Sequence, residues 1–303
     1  MTWTVSEIPA QTGRTVLVTG VSLGGIGHHT ALELARAGAR VVLAGRNPDR
    51  LAEAEDAVRE QVASADLARL VVDLASLGSV RRAAEELAEP LDILVNNAGV
   101  MAPPYSATED GFESQLATNH LGPFLLTGLL LPRVRAGGRV VTVSSQMHRL
   151  ARSAPLGDPR EQPRRYRRWP AYSRTKLANL LFTFELDRRL VAAGIEVTAL
   201  AAHPGYAGTH LVANGRFGRP RGGVASILDA VNRRVAQSPA AGAWPTLMAA
   251  TADLPGSTYC GPSGPGQAYG PPAVVGCTPL ARDPETARRL WELSEAATGI
   301  RYP

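Results

Sequence analysis

The chain has 303 residues, 45% of them apolar and 19% charged, with a net charge of +5. This composition excludes a disordered or fibrous protein, and the length suffices to bury a large core. Apolar runs too short for a bilayer, a first dozen residues without the regions of a signal peptide, and two cysteines (Cys260, Cys277) that make no disulfide framework lead us to expect a cytoplasmic protein with no membrane partner.

Strand and helix patterns alternate from the start. Arg14–Gly20 is a short apolar run ending in glycine and reads as a buried strand, followed by a helical pattern over Gly25–Gly38. Ala39–Gly45 predicts a second strand, and Pro48–Ala63 a helix with proline in its first turn. Arg69–Asp73, Leu91–Val95 and Gly138–Ser144 are further strand patterns, separated by helical stretches at Ser76–Glu89 and Asp110–Arg135. A long helix over Ala171–Ala193 leads to a strand at Ile195–Ala202, and helices follow at Val224–Gln237, Ala240–Ala252 and Asp283–Ala297. Leu254–Cys277 is rich in glycine and proline. Strands separated by helices imply βαβ units with right-handed crossovers, hence an α/β doubly wound parallel sheet, a Rossmann fold. With no repeat and no linker, the expected organisation is one domain over 1–303: an alternating strand–helix core (14–203) and a less regular last third (204–303).

The first strand runs into Thr19-Gly20-Val21-Ser22-Leu23-Gly24-Gly25-Ile26-Gly27 and then the first helix. Glycines let the backbone approach a pyrophosphate, and a helix N-terminus supplies N–H groups and positive dipole. Gly20, Ser22, Leu23, Gly25, Ile26 and Gly27 are the candidate contacts; a tight turn without ligand is the alternative. The second strand ends Ala44-Gly45-Arg46-Asn47, with an arginine where NAD binders often carry an acid. A guanidinium matches a 2′-phosphate, so Arg46 favours NADP(H) over NAD(H), although about one residue in ten here is arginine.

Of the 32 basic residues, 31 are arginine, a usage that suits a high-GC bacterial genome. The dense run Arg149–Arg168 lacks any nucleic-acid motif, and no nucleic-acid partner is expected. The only lysine is Lys176, four residues after Tyr172 at the start of the long helix. That spacing puts both side chains on one helix face. An ammonium beside a phenol favours the phenolate and lowers its pKa from near 10, giving a general acid/base for a hydroxyl proton. The alternative is an exposed helix face.

Taken together, the glycine loop, Asp73-Leu74, Asn96-Asn97-Ala98-Gly99, Asn119, Ser144-Ser145, Tyr172-x3-Lys176 and Pro204-Gly205 resemble the short-chain dehydrogenase/reductase family over nearly the whole chain. Asp110-Gly111-Phe112-Glu113, Thr118–Gly122, Ser173–Thr183, His203-Pro204-Gly205 and the 27-residue gap from Ser145 to Tyr172 resemble its retinol-dehydrogenase-like branch, which includes the WW-domain-containing oxidoreductases. The resemblance implies that Ser145 bonds the substrate oxygen, Tyr172 exchanges the proton, Lys176 holds the nicotinamide ribose, and Asn119 holds a water linking Lys176 to solvent. It further implies that Asp73 and Leu74 meet the adenine, that Asn96, Ala98 and Gly99 pack on the adenosine ribose, and that Pro204, Gly205 and Thr209 hold the nicotinamide end. It also implies a homodimer or homotetramer, through Asn119–Arg135 and Ala171–Ala193.

Two features depart from the family pattern. The glycine loop has four residues, Val21 to Gly24, where three are usual, and Pro123 stands four residues after Asn119. A proline there cannot bond back to the Asn119 carbonyl, which either frees that carbonyl for a water or breaks the helix. His28 and His29 are expected to be solvent-exposed, and no metal site is expected. The leading expectation is an NADP(H)-dependent oxidoreductase that interconverts a carbonyl and an alcohol on an apolar small molecule, such as a secondary metabolite. Reduction of a C=C or C=N bond, and a non-catalytic dinucleotide sensor, are the competing readings.

Overall fold

Thr15–Thr19 (β1) is apolar except at its ends and buried throughout, as a central parallel strand covered on both faces must be. Val16 and Val18 join the core on one face and Leu17 the core on the other, the alternation of a strand. This computed structural model describes residues 3–206 and 237–303. After β1 come α1 (Ile26–Arg36), β2 (Arg40–Gly45), α2 (Pro48–Gln61), β3 (Leu67–Val71), α3 (Leu77–Glu86) and β4 (Leu91–Asn96). Helical turns at Ser114–Leu116 (α4) and Gly122–Leu130 (α5) flank a π turn, Ala117–Leu121. The chain continues through β5 (Val134–Val143), α6 (Arg168–Ala192), β6 (Val197–Ala202), α7 (Pro239–Thr251), β7 (Tyr259–Pro262), β8 (Pro272–Val274) and α8 (Pro284–Thr298).

The eight strands form one sheet in the order β3-β2-β1-β4-β5-β6-β7-β8, parallel except where β8 pairs antiparallel with β7. The winding reverses between β1 and β4, which pair in the register Val18↔Val95. A crevice at the carboxyl ends of strands beside such a switch point is where open α/β sheets bind ligands. One face of the sheet packs on α1, α2 and α7, the other on α3, α5, α6 and α8. This is the doubly wound fold expected from the alternation of patterns.

Three expectations need correction. The stretch Asp110–Arg135 is not one helix. It starts at Ser114, where the Glu113 carboxylate caps the N–H groups of Gln115 (2.8 Å) and Leu116 (2.9 Å). It widens at the π turn, where the Gly122 N–H reaches back five residues to Ala117, and it ends before β5 begins at Val134. Pro123 has no N–H to bond the Asn119 carbonyl, and the wider turn absorbs that loss without breaking the helix. Second, the Gly/Pro-rich stretch contains β7 and β8, whose short lengths and prolines hide the strand pattern. Third, the stretch Asn119–Arg135, expected to carry a subunit interface, turns much of its apolar run inward: Leu121, Leu125, Leu126 and Leu130 are fully buried within this chain. Part of its cover is the C-terminal Tyr302 ring, 4.9 Å from the Phe124 ring. Most of the helix expected over Val224–Gln237 lies outside the described residues.

The abundance of arginine has a structural use. Arg133 donates to Ala84 and Leu87 at the end of α3, Arg139 to Ala249 (3.0 Å) and Ala252 at the end of α7, and Arg81 to Thr298 (2.7 Å) at the end of α8. Helix C-termini leave carbonyls unsatisfied, and a guanidinium fork satisfies two at once while complementing the dipole.

Candidate active site

The β1–α1 loop is laced to the turn after β4. The Thr19 hydroxyl accepts from the N–H groups of Asn97 (3.0 Å) and Ala98 (3.1 Å) and donates to the Val95 carbonyl (3.2 Å). The Asn97 amide returns a bond to the Thr19 carbonyl (2.7 Å). Neither Thr19 nor Asn97 is a candidate from the sequence, although Thr19 opens the glycine loop and Asn97 lies in the Asn96–Gly99 motif. Gly20 has φ +72°, and a Cβ there would lie 2.6 Å from the Ala98 Cα, so only glycine lets the two loops touch. The additional loop residue is taken up by a turn closed from the Gly25 N–H to the Ser22 carbonyl (2.9 Å), with Gly24 at φ +71°. The Leu23 side chain is half exposed on this turn.

Gly25 stands at the N-cap of α1 and offers no capping side chain, so the first-turn N–H groups at Ile26 and Gly27 keep their donor capacity. Arg46 is exposed just beyond β2 and makes no ion pair among the described residues. Beside it, the Asn47 side chain caps α2 through the Arg50 N–H (3.0 Å). Asp73 uses Oδ1 to accept from the Ala75 N–H (2.9 Å), and no bond to Oδ2 is present among the described residues. Leu74 is buried, with its carbonyl against Gly122. The Asn96 amide donates to Thr127 on α5 (2.9 Å), while its Oδ1 is buried without a partner. An uncapped helix start, an uncommitted guanidinium and a backbone cradle that excludes side chains fit a phosphorylated dinucleotide.

Tyr172 and Lys176 lie one turn apart on α6, both buried, with the Lys176 ammonium 5.8 Å from the centre of the Tyr172 ring. The Tyr172 phenol lies beside the Ser145 side chain, which favours its ionised form. The Ser145 hydroxyl also accepts the Met147 N–H (3.2 Å), which fixes it at the end of β5. The Lys176 ammonium donates to the Val143 carbonyl (3.0 Å), and the Ser144 hydroxyl donates to the Lys176 carbonyl (2.7 Å). Asn119 is fully buried: its Oδ1 accepts from Val100 N–H (2.7 Å), and its amide donates to the Val100 carbonyl (3.0 Å) and to Thr175 Oγ1 (3.0 Å). The side chain of Asn119 is therefore a pin. The Asn119 main-chain carbonyl receives no bond from Pro123, which has no N–H. Gly99 faces the same point, where a Cβ would lie 3.2 Å from Asn119 Oδ1 and 3.4 Å from Lys176 Nζ.

The electrostatics reverse one expectation. Burial pushes the Tyr172 phenol up to about 12, opposed by the Ser145 side chain, and pulls the Lys176 ammonium down to about 8. Both charged forms lose water on burial, and at this separation desolvation outweighs their mutual attraction. His28 is also corrected: it is buried, with both ring nitrogens unpartnered, and burial together with His29 lowers it to about 4. His29 is half-buried.

His203 accepts the Gly205 N–H at Nδ1 (3.1 Å) and supports the Pro204-Gly205 bend, which docks on the Ala268 carbonyl. Thr209 lies outside the described residues. Both cysteines are free, and burial pushes the Cys260 thiol up to about 12. Among the described residues no group of three or more His, Cys, Asp or Glu could hold a metal, and no helix is long and apolar enough to cross a membrane.

The short chain dehydrogenase family profile matches residues 14–155. Human retinol dehydrogenase 13 is 39% identical over 302 residues, covering 96% of this chain and 86% of that protein. Mouse polyprenol dehydrogenase is 39% identical over 308 residues, with 96% and 86% covered. The crystal structure of an uncharacterized protein from Mycobacterium paratuberculosis superposes with a TM-score of 0.82 at 43% identity, over 100% of both chains. A glycine loop at the sheet's switch point, the tyrosine–lysine pair beside it and relatives of this closeness lead to one conclusion: the chain is an oxidoreductase of the short-chain dehydrogenase/reductase family, similar to the retinol dehydrogenases.

Proposed function

We propose that the protein interconverts a carbonyl and an alcohol on an apolar small molecule, with NADP(H) preferred over NAD(H) through Arg46. The observation that carries this reading is the convergence of Ser145, Tyr172, Lys176 and Asn119 on one buried point below the crevice. The two relatives named above act on retinol and polyprenol, both apolar alcohols, which supports the substrate class. The N–H groups at Ile26 and Gly27 and the turn from Ser22 to Gly25 would receive the pyrophosphate. Arg46 would take the 2′-phosphate, Asp73 and Leu74 the adenine, and Pro204, Gly205 and Thr209 the nicotinamide end. When bound, the dinucleotide supplies or accepts the hydride.

The residues of the chain manage the proton. Ser145 donates to the substrate oxygen and aligns it with the Tyr172 hydroxyl. In reduction the Tyr172 phenol gives up its proton to that oxygen as the carbonyl carbon is reduced; in oxidation its phenolate takes the proton back. The Lys176 ammonium stabilises the phenolate and is resupplied with a proton through a water on the Asn119 carbonyl. Burial makes the ground-state phenolate expensive, so the positive charge of Lys176 counts most when the tyrosine has lost its proton. The proposal takes the chain as one domain, 14–203 binding the dinucleotide and 204–303 closing over the substrate, in a cytoplasmic homodimer or homotetramer.

The test is Tyr172→Phe, which removes one oxygen and keeps the ring packing. The variant retains NADPH binding and loses at least ~10²-fold in turnover, the usual worth of a positioned acid/base. Near-normal turnover would overturn the reading.

A further inference from the structure

The insert between Ser145 and α6 is chemically unlike the rest of the surface. The twenty residues Arg149–Arg168 contain seven arginines against two acids, Asp158 and Glu161. Three of the arginines are committed: Arg149 bonds Gln146 and the Gly276 carbonyl, Arg160 lies over the Phe112 ring, and Arg168 gives its carbonyl to Gln115. Arg164, Arg165 and Arg167 are exposed and form no ion pair among the described residues.

Arg167 lines a groove of about 630 Å³ together with Pro104, Tyr105, Tyr166, Arg168, Trp169 and Pro170, and Arg164 and Arg165 directly precede its Tyr166 in the chain. Its aromatic wall is built, not incidental. The Tyr105 and Tyr166 rings meet edge to face at 5.3 Å. The Tyr166 hydroxyl donates to Glu113 (2.7 Å) and accepts from the fully buried Gln115 amide. The Glu113 carboxylate, the acid that faces this wall, is thereby tied up by Tyr166 and two backbone N–H groups. The groove lies next to the proposed chemistry: Trp169, one of its lining residues, meets the Tyr172 ring edge to face at 6.4 Å.

We propose that this groove is a specificity subsite for a substrate with an apolar body and a terminal carboxylate, the carbonyl lying at Tyr172 and the carboxylate among Arg164, Arg165 and Arg167. The inference rests on the proposed reaction and names its substrate class more narrowly. Charge complementarity commits the occupant: a groove with an aromatic wall beside Arg164, Arg165 and Arg167, which form no ion pair among the described residues, favours an anionic end over a neutral or cationic one. Geometry sets its length. Arg167 precedes Tyr172 by five residues, roughly 7.5 Å along a helix that rises about 1.5 Å per residue, so carbonyl and carboxylate must be at least that far apart.

Two aldehydes and their methyl esters test this with NADPH: 10-oxodecanoate, which spans the distance, and 4-oxobutanoate, which does not. For the long pair, kcat/KM of the acid exceeds that of the ester at least tenfold at low salt, and the short pair shows no such preference. In the triple variant Arg164→Ala, Arg165→Ala, Arg167→Ala the long-pair ratio falls toward one. A ratio near one in the wild type, or a ratio that the triple variant leaves intact, overturns the subsite while the proposed reaction stands. Should neither aldehyde turn over, the reaction reading is what fails. Calorimetric titration with decanoate then decides the subsite, since binding that the triple variant weakens tenfold supports it and absence of binding in the wild type overturns it.

Discussion

Lys176→Met preserves an unbranched side chain of nearly the same length in the space between β5 and α6 and removes only the ammonium. Burial lowers the Lys176 pKa from 10.5 to about 8, so holding the charged form in the folded state at neutral pH costs about 3 kcal/mol. Against this the variant loses a charged hydrogen bond to Val143 O, about 2 kcal/mol. The Val143 carbonyl is not orphaned, because the Asn179 amide also donates to it at 3.1 Å. The expected net effect is a stabilisation of about 1 kcal/mol, a rise in Tm of about 2 °C in a protein of this size. The sign of its pH dependence follows from the direction of the shift. With the folded pKa below that of the unfolded chain, the wild type carries the penalty in full below about pH 8 and sheds it as pH rises toward 10.5. The Tm advantage of the methionine variant is therefore largest at neutral pH and closes in alkali. Thermal unfolding at about pH 6.5 and about pH 10, with NADPH-dependent turnover measured alongside, checks this. A variant more than ~1 kcal/mol less stable than the wild type at neutral pH, or a gap that ignores pH, refutes the desolvation argument. Turnover falls at least ~10²-fold in either buffer.

Arg46→Asp exchanges a partner for the 2′-phosphate for one that suits a ribose diol. Titrations should show NADPH weakened at least tenfold and NADH strengthened, and unchanged NADPH affinity contradicts the assignment. Carbonyl reduction needs both the Tyr172 proton and the Lys176 ammonium, so its kcat/KM falls as pH rises through about 8. Alcohol oxidation needs a phenolate, which burial pushes toward about 12, together with the ammonium that stabilises it, so it rises with pH only until Lys176 loses its proton near pH 8. A reduction profile flat from neutral pH to about pH 10 would show that Lys176 does not titrate in the catalytic cycle. Gly122→Ala places a Cβ 2.2 Å from the Leu74 carbonyl. The clash has no flexible side chain to relieve it, so the variant is destabilised by about 3 kcal/mol, and a wild-type Tm would mean the π turn is not seated there.

The fold was legible wherever burial imposed a period. β1, β2, β4 and β6 are continuous apolar runs because both faces of a central parallel strand are covered, and the phosphate loop announced itself by its place between β1 and α1. β7 and β8 left no such trace, since Pro262, Gly261 and Pro272 belong equally to turns and only the neighbouring β6 makes them strands. His28 reads as a polar residue in a first helical turn, and its burial depends on what packs over α1. The spacing of Tyr172 and Lys176 points to the pair and the family resemblance to Asn119 and Ser145, but neither points to their partners. Thr175, Ser144, Thr19 and Asn97 are common residues whose role is set by a hydrogen bond across the fold. The balance of desolvation over attraction at Tyr172 and Lys176 is likewise invisible in a sequence, because it is fixed by what surrounds the pair.

The segment Asn119-His120-Leu121-Gly122-Pro123 shows how local sequence and distant packing make one functional feature. Pro123 withdraws the donor that an α-helix would aim at the Asn119 carbonyl, which by itself would weaken the helix. Gly122 lets the turn press against the Leu74 carbonyl beside Asp73, and His120 ties it to Ser294 on α8 at 2.8 Å. Leu121 and Phe124 fill the core below. Its position is fixed from three sides, and the Asn119 side chain is committed to Val100 and Thr175, so the proposed water relay falls to the Asn119 carbonyl that Pro123 cannot reach. The irregular turn is thus held by packing against Leu74, beside Asp73. The consequence is physical coupling: a change at Gly122 or His120, remote from any reacting atom, moves the carbonyl on which the proposed resupply of protons to Lys176 depends.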